Sequence, residues 1–149
     1  MGSHSDDGFT PPTSIERMLN RAMGLLFSLG LGLRHNYLLQ VRGRKSGRLY
    51  STPVDLLEID GKLYLVCPRG RSQWVRNVEA SGRLVLKRRG SKAFSANVIP
   101  NELKPPILKK YLDSFKTTVG RFFPLPSDSP AEAFAPYADR YPVFELIPS

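Results

Sequence analysis

Cysteine and histidine are almost missing from this chain: one cysteine, Cys67, and two histidines, His4 and His35, among 149 residues. A lone thiol forms no internal disulfide, which fits a reducing compartment or a fold that needs no covalent staple. Three scattered residues do not supply a zinc centre. Neither histidine stands in a motif with a carboxylate and a serine or cysteine, so nucleophilic and metal-assisted hydrolysis are disfavoured. Long apolar runs are missing as well. The uncharged stretch Ala22–Leu33 holds 12 residues, and a bilayer-spanning helix needs about 20. The start, Met1–Thr10, carries Asp6 and Asp7 and lacks a basic region followed at once by an apolar run, so no cleavable signal is expected. No repeat or low-complexity segment is visible, and the length suits one domain.

Acid is the scarce charge: 13 Asp and Glu stand against 22 Lys and Arg, for a net +9. The imbalance is local. Between Arg34 and Lys92 there are 14 basic and 4 acidic residues, which leaves 8 and 9 for the rest of the chain. A concentrated positive field attracts phosphates, carboxylates, nucleic acid or an acidic membrane, whereas the same charges spread over a solvated face only aid solubility. Here the cations gather at turns between apolar strands. One group is Gly43-Arg44-Lys45-Ser46-Gly47-Arg48, and the other is Arg69-Gly70-Arg71-Ser72-Gln73-Trp74-Val75-Arg76-Asn77.

The expected elements place both groups beside a sheet. Residues 1–12 read as a loose polar leader and 13–149 as one domain. Thr13-Ser14-Ile15-Glu16 has capping-box spacing and opens a helix within 13–33. Its uncharged part packs on the domain as a lid or core helix, or lies in a membrane interface between Arg17, Arg21 and Arg34. Strands are expected at Tyr37–Val41, Leu49–Ile59, Lys62–Cys67, Arg83–Arg88, Ala93–Ile99 and Val143–Ile147. Pro53 marks the second as an edge or a bulge, and Asp60-Gly61 is a hairpin turn. Ser72 caps a helix from Gln73 to Ala80 that stops at Gly82. Pro105-Pro106 precede a helix to about Lys116, Thr117–Pro130 is loop, and a short helix covers Ala131–Ala138. The fold class is therefore mainly β with flanking helices. About six antiparallel strands would close into a small barrel and remove their edges.

In the first basic loop, two glycines let the backbone turn sharply and approach a ligand closely. Arg44 offers a two-pronged grip on phosphate or carboxylate, Lys45 a point charge and Ser46 one more donor. The spacing is not that of a phosphate-binding P-loop, and alone it also suits an ordinary hairpin turn. In the second, Arg69 and Arg71 flank Gly70 just before a helix N-terminus, where free N–H groups and the helix dipole favour anions. Trp74 and Asn77 share a helix face. Trp74 walls a planar ring or packs in the core; Asn77 faces a ligand or caps locally. Groups that bind an anion and cover a ring suit a protein whose cofactor supplies the chemistry.

These loops, with Thr52-Pro53, Asp60-Gly61 and Trp74-Val75-Arg76-Asn77-Val78-Glu79-Ala80, resemble the deazaflavin-dependent nitroreductase family over residues 35–100 and the final strand. The resemblance implies a split β-barrel related to the FMN-binding, pyridoxamine-phosphate-oxidase-like barrels. It implies coenzyme F-420, whose phosphate and acidic tail would sit on Arg44, Lys45, Ser46 and Gly47, with Arg48 beside them; FMN is the alternative cofactor. Thr52 and Pro53 would lie beside the deazaflavin, and Cys67, Pro68, Arg69, Gly70 and Arg71 would line ring and phosphate. Trp74 and Asn77 would border it. Tyr137 and Tyr141 would line the substrate pocket, one of them giving a proton. Members often carry a hydroxyl residue just after the third strand, where this chain has Pro68, which has no backbone N–H to donate.

The activity expected from the resemblance is hydride transfer from reduced F-420 to a small quinone, enone or nitro compound, in the cytoplasm. The second reading is a non-catalytic lipid, fatty-acid or cofactor binder held at the inner membrane face through 13–33. Nucleic-acid binding ranks last, because the basic face lacks a stacking platform of aromatics. A homodimer is left open.

Overall fold

Seven strands and two helices form in the computed structural model, which describes residues 35–149. The expected leader at 1–12, the helix within 13–33 and its membrane contact lie outside the described residues. In chain order the strands are β1 (Asn36–Arg42), β2 (Leu49–Asp55), β3 (Leu57–Ile59), β4 (Lys62–Val66), β5 (Arg83–Lys87), β6 (Ser91–Val98) and β7 (Val143–Pro148). The helices are α1 (Gln73–Ser81) and α2 (Lys104–Val119), with 3₁₀ segments at Asn101–Leu103, Gly120–Phe122 and Ala131–Arg140.

The expected strand 49–59 is two strands, because the ladder breaks at Leu56, whose N–H donates to the His35 carbonyl at 2.9 Å. β2 pairs with β1, and β3 pairs with β4. The sheet runs β2-β1-β5-β6-β7-β4-β3, antiparallel throughout. Its two outermost strands are therefore consecutive in the chain and one residue apart. A sheet whose edges are joined by a single residue has to roll until they approach, and the result is a split barrel. Pro53 sits in the outermost strand, where a missing N–H costs no ladder bond on the open side. Asp60 and Gly61 both take positive φ, 52° and 80°, as a two-residue hairpin turn requires.

Two apolar clusters hold the elements. In the first, Val75 and Val78 of α1, both 0% exposed, plug the barrel against Leu39, Leu65, Leu84 and Phe144. In the second, Ile107, Leu108, Tyr111, Leu112, Phe115 and Val119 of α2 cover Leu57, Tyr64, Val66 and Val143. Full burial of each such side chain stabilises by roughly 1.5–3 kcal/mol. α2 runs past the expected stop at Lys116 to Val119 and tightens into 3₁₀ through Phe122, because buried Val119 and half-buried Phe122 continue its apolar face. Pro105 and Pro106 lie inside its first turn, where no N–H is missed. Ala131–Arg140 is 3₁₀ rather than α-helix, with Pro136 in its interior.

Candidate functional site

A cavity of about 800 Å³ lies between the β1–β2 hairpin, the β4–α1 connection and the C-terminal part of α2, within the usual range for a small-molecule site. It begins at the β1–β2 turn. The Gly43 N–H donates to the Arg48 carbonyl at 2.7 Å, and the Gly47 N–H to the Gly43 carbonyl at 2.9 Å. Gly47 turns with φ of 72°, a conformation only glycine adopts without strain. A side chain at Gly43 would meet the Tyr50 ring at 2.6 Å, so glycine there lets Tyr50 lie against the turn.

α1 aims the first cation. Gln73 and Asn77 stand four residues apart on one helix face. Asn77 Oδ1 accepts from the Arg44 backbone N–H at 3.1 Å and from one of its guanidinium nitrogens at 2.8 Å, while Gln73 Oε1 accepts from the other at 3.1 Å. These partners fix the fork without neutralising it. Among the described residues no carboxylate pairs with Arg44 or Lys45, whereas Arg71 is spent on Glu79 at 2.6 Å. The start of α1 is equally uncompensated. Ser72 occupies the N-cap position as expected, but its hydroxyl lies 3.4 Å from Cys67 Sγ and caps nothing, and the first turn holds no acid. The positive end of the helix dipole therefore adds to the field. Two more guanidiniums bracket Phe122, Arg69 at 4.7 Å and Arg121 at 4.5 Å from the ring centroid. Burial lowers the Arg69 pKa. Arg69, Arg121 and Phe122, with Arg44, Lys45 and Arg76, line the cavity.

The far end is different. Across β1–β2, Arg42 pairs with Leu49 and Asn36 with Asp55. Asp55 therefore lies six residues from the turn end of β2, about 20 Å along an extended strand. It lines the cavity with Tyr111 of α2 and Cys67. Burial pushes the Asp55 carboxyl above its usual pKa, against the pull of His35, 3.4 Å away, and of the Asn36 amide that donates to it. Burial likewise raises the Cys67 thiol. It holds the Tyr111 phenol well above its ordinary value, and the nearby Asp55 charge adds to this.

Of the residues singled out from the sequence, Arg44, Lys45, Ser46, Thr52, Pro53, Cys67, Pro68, Arg69, Trp74 and Asn77 line this one cavity. Gly47, Arg48, Gly70 and Arg71 do not; Gly47 and Gly70 shape the turns with positive φ, and Arg48 and Arg71 face outward. Trp74 packs on Phe144 at 6.1 Å and also lines the cavity. Tyr137 and Tyr141 are not among the lining residues. Tyr141 is 3% exposed, stacks on Phe123 at 4.4 Å and donates its hydroxyl to the Phe122 carbonyl at 2.6 Å. Tyr137 packs beside the α2 cluster under Arg140. The sequence reading missed Gln73, Asp55, Tyr111, Arg121 and Phe122. The i,i+4 pairing of Gln73 with Asn77 was a usable signal; the others come together only through the fold. Among the described residues no cluster suits a metal ion, and no helix is long and apolar enough to cross a membrane.

The donor set fits a ligand with an anionic arm and a planar head: oriented cations and free helix N–H groups at one end, aromatic and apolar walls beyond them. Comparison with known proteins agrees. The family model for F-420H(2)-dependent quinone reductase matches residues 16–111. No curated protein matches the chain significantly. Among solved structures, a protein of unknown function from Agrobacterium tumefaciens is 16% identical with a TM-score of 0.57, over 76% of this chain and 48% of that one. The chain thus spans about half the length of that neighbour. An F-420-H2 dependent reductase is 17% identical with a TM-score of 0.53, over 76% of this chain and 95% of that one. A Listeria innocua protein described as a pyridoxamine 5'-phosphate oxidase is 9% identical with a TM-score of 0.52, over 88% and 94%. At such identities these likenesses speak for the split-barrel fold alone.

Proposed function

The chain belongs to the F-420H(2)-dependent quinone reductase family, and from that premise we propose that it is an F-420-dependent reductase acting on a small quinone, enone or nitro compound. When bound, the reduced coenzyme supplies a hydride. The chain's part is to bind, orient and exclude water. The observation that carries this reading is Arg44, held by Asn77 and Gln73 at the cavity's edge with its charge uncompensated. A cation already aimed by neutral partners meets a phosphate or carboxylate without paying to be ordered, and each charge-assisted bond contributes roughly 1.5–3 kcal/mol. Lys45, Arg69 and the α1 N-terminus extend the same field. The half-buried walls of Trp74, Pro53 and Val54 offer a planar head an apolar surface. Cys67 and Pro68 line the same cavity.

The test is titration of the purified chain with oxidised F-420, followed by coenzyme fluorescence and calorimetry. Saturation at micromolar coenzyme, with FMN binding more weakly, is the expected result. No binding at tens of micromolar rejects the reading.

A further inference from the structure

We propose that Tyr111 donates the proton that the hydride acceptor needs, with Asp55 and His35 as positioning residues that link it to water; the proposal rests on the reductase reading above. Quinone reduction consumes one hydride and one proton. The reduced coenzyme supplies the hydride and its two electrons. The proton has to come from a group near the acceptor oxygen and be replaced from solvent.

Tyr111 meets the geometric requirement. Its side chain is 2% exposed, yet it lines the cavity, and among the described residues nothing hydrogen-bonds to its hydroxyl. A buried phenol normally finds a partner. One that is left open at a cavity wall is available to a ligand oxygen. A fixed carboxylate, Asp55, lines the same cavity. The Asn36 amide donates to Asp55 Oδ1 although the Asn36 Oδ1 is itself buried and unpartnered among the described residues. The fold accepts that cost and keeps Asp55 in place. His35 Nε2 lies 3.4 Å from the same carboxylate oxygen, with about a third of its side chain, 34%, in solvent. Its ring rests on Phe115, one turn beyond Tyr111 on α2, at 4.6 Å. The ionisable groups that bear on Tyr111 are Asp55 from β2 and Cys67 from the end of β4. His35 acts on Asp55, and Arg88, just after β5, donates to the Asn36 carbonyl at 2.9 Å.

In the step, the Tyr111 O–H bond breaks as the quinol O–H bond forms. The phenolate then regains a proton from water by way of Asp55 and His35. The acceptor gains the hydride, the coenzyme is oxidised, and tyrosine ends unchanged.

Tyr111→Phe removes one oxygen that makes no internal bond, so its melting temperature should stay within about 2 °C of wild type. Trp74 is the chain's single tryptophan and lines the cavity, so its fluorescence reports occupancy by a soluble benzoquinone without coenzyme. The expected result is F-420 affinity unchanged, benzoquinone affinity lowered about threefold by the lost hydrogen bond, and kcat lowered about 100-fold. The kcat loss should shrink along a series of quinones with stronger electron-withdrawing groups, whose reduced oxygens need the proton less. Asp55→Asn should lower kcat about tenfold with the same trend. A kcat within twofold of wild type in Tyr111→Phe overturns the proposal. So does a loss that is equal across the quinone series. Failure of the wild-type chain to bind F-420 overturns the reductase reading instead.

Discussion

At the β1–β2 turn the cavity is all cation: Arg44 and Lys45 stand without carboxylates among the described residues, and the uncapped start of α1 points the same way. Six residues along β2 the wall is Asp55, Tyr111 and Cys67, three groups whose burial holds each in its protonated, neutral form more strongly than water would. One end attracts charge and the other resists it. A ligand that is anionic at one end and neutral at the other has one orientation in such a cavity. A coenzyme with an anionic arm on a planar ring suits the cationic end through its arm, and on the proposal above the acceptor would meet the groups that hold protons.

The largest effect that can break this contrast is at the turn. Replacing Arg44 and Lys45 together by alanine should weaken F-420 binding about 100-fold, near 2.7 kcal/mol, as coenzyme titration would measure. Benzoquinone binding to the same variant, read by Trp74 fluorescence, should not change. Equal losses for both ligands would mean that the two ends are not separate sites.

A smaller effect tests whether the cation is aimed or merely present. Asn77 is 5% exposed and accepts two bonds from Arg44. Asn77→Ala keeps every charge but removes the anchor, and it leaves a backbone N–H without its partner. Coenzyme affinity should fall about tenfold, with a stability loss of about 1–3 kcal/mol seen by denaturant titration. Unchanged affinity in a folded variant would show that charge alone suffices.

How much of this was legible before folding follows the same division. The turn end is local. Its glycines, cations and cap positions lie within a few residues of one another, and Gly47, Asp60-Gly61 and Gly82 take the left-handed conformations their turns imply. The far end is not local. Asp55 reads as one polar position in a strand and Tyr111 as one apolar position in a helix. Only the pairing of Asn36 with Asp55 and the seating of α2 on β4 bring them to one wall. Strand 49–59 hid its break for a related reason: nothing in Leu56 itself marks the corner, which exists because β2 and β3 have different partners. Tyr137 and Tyr141 enter the sequence reading only through the family resemblance, and the fold packs Tyr141 on Phe123 and Tyr137 beside the α2 cluster.

The smallest effect is a difference in pH dependence. The folded Asp55 carboxyl has a pKa above the unfolded value of 3.8, chiefly through burial. Below 3.8 both states hold the proton and the group contributes nothing. As pH rises from there, the unfolded chain ionises first and gains. Stability falls until pH passes the folded pKa, and the penalty is constant beyond it. Asp55→Asn removes that ionisation. The variant's melting temperature relative to wild type should therefore be higher at pH 7 than at pH 3, although the lost attraction to His35 trims the gain. Arg44→Ala, at the cationic end, should show no such crossover over the same range. If scanning calorimetry finds both variants displaced by equal amounts at pH 3 and pH 7, then Asp55 is solvated like any surface carboxylate, and the far end of the cavity does not resist charge.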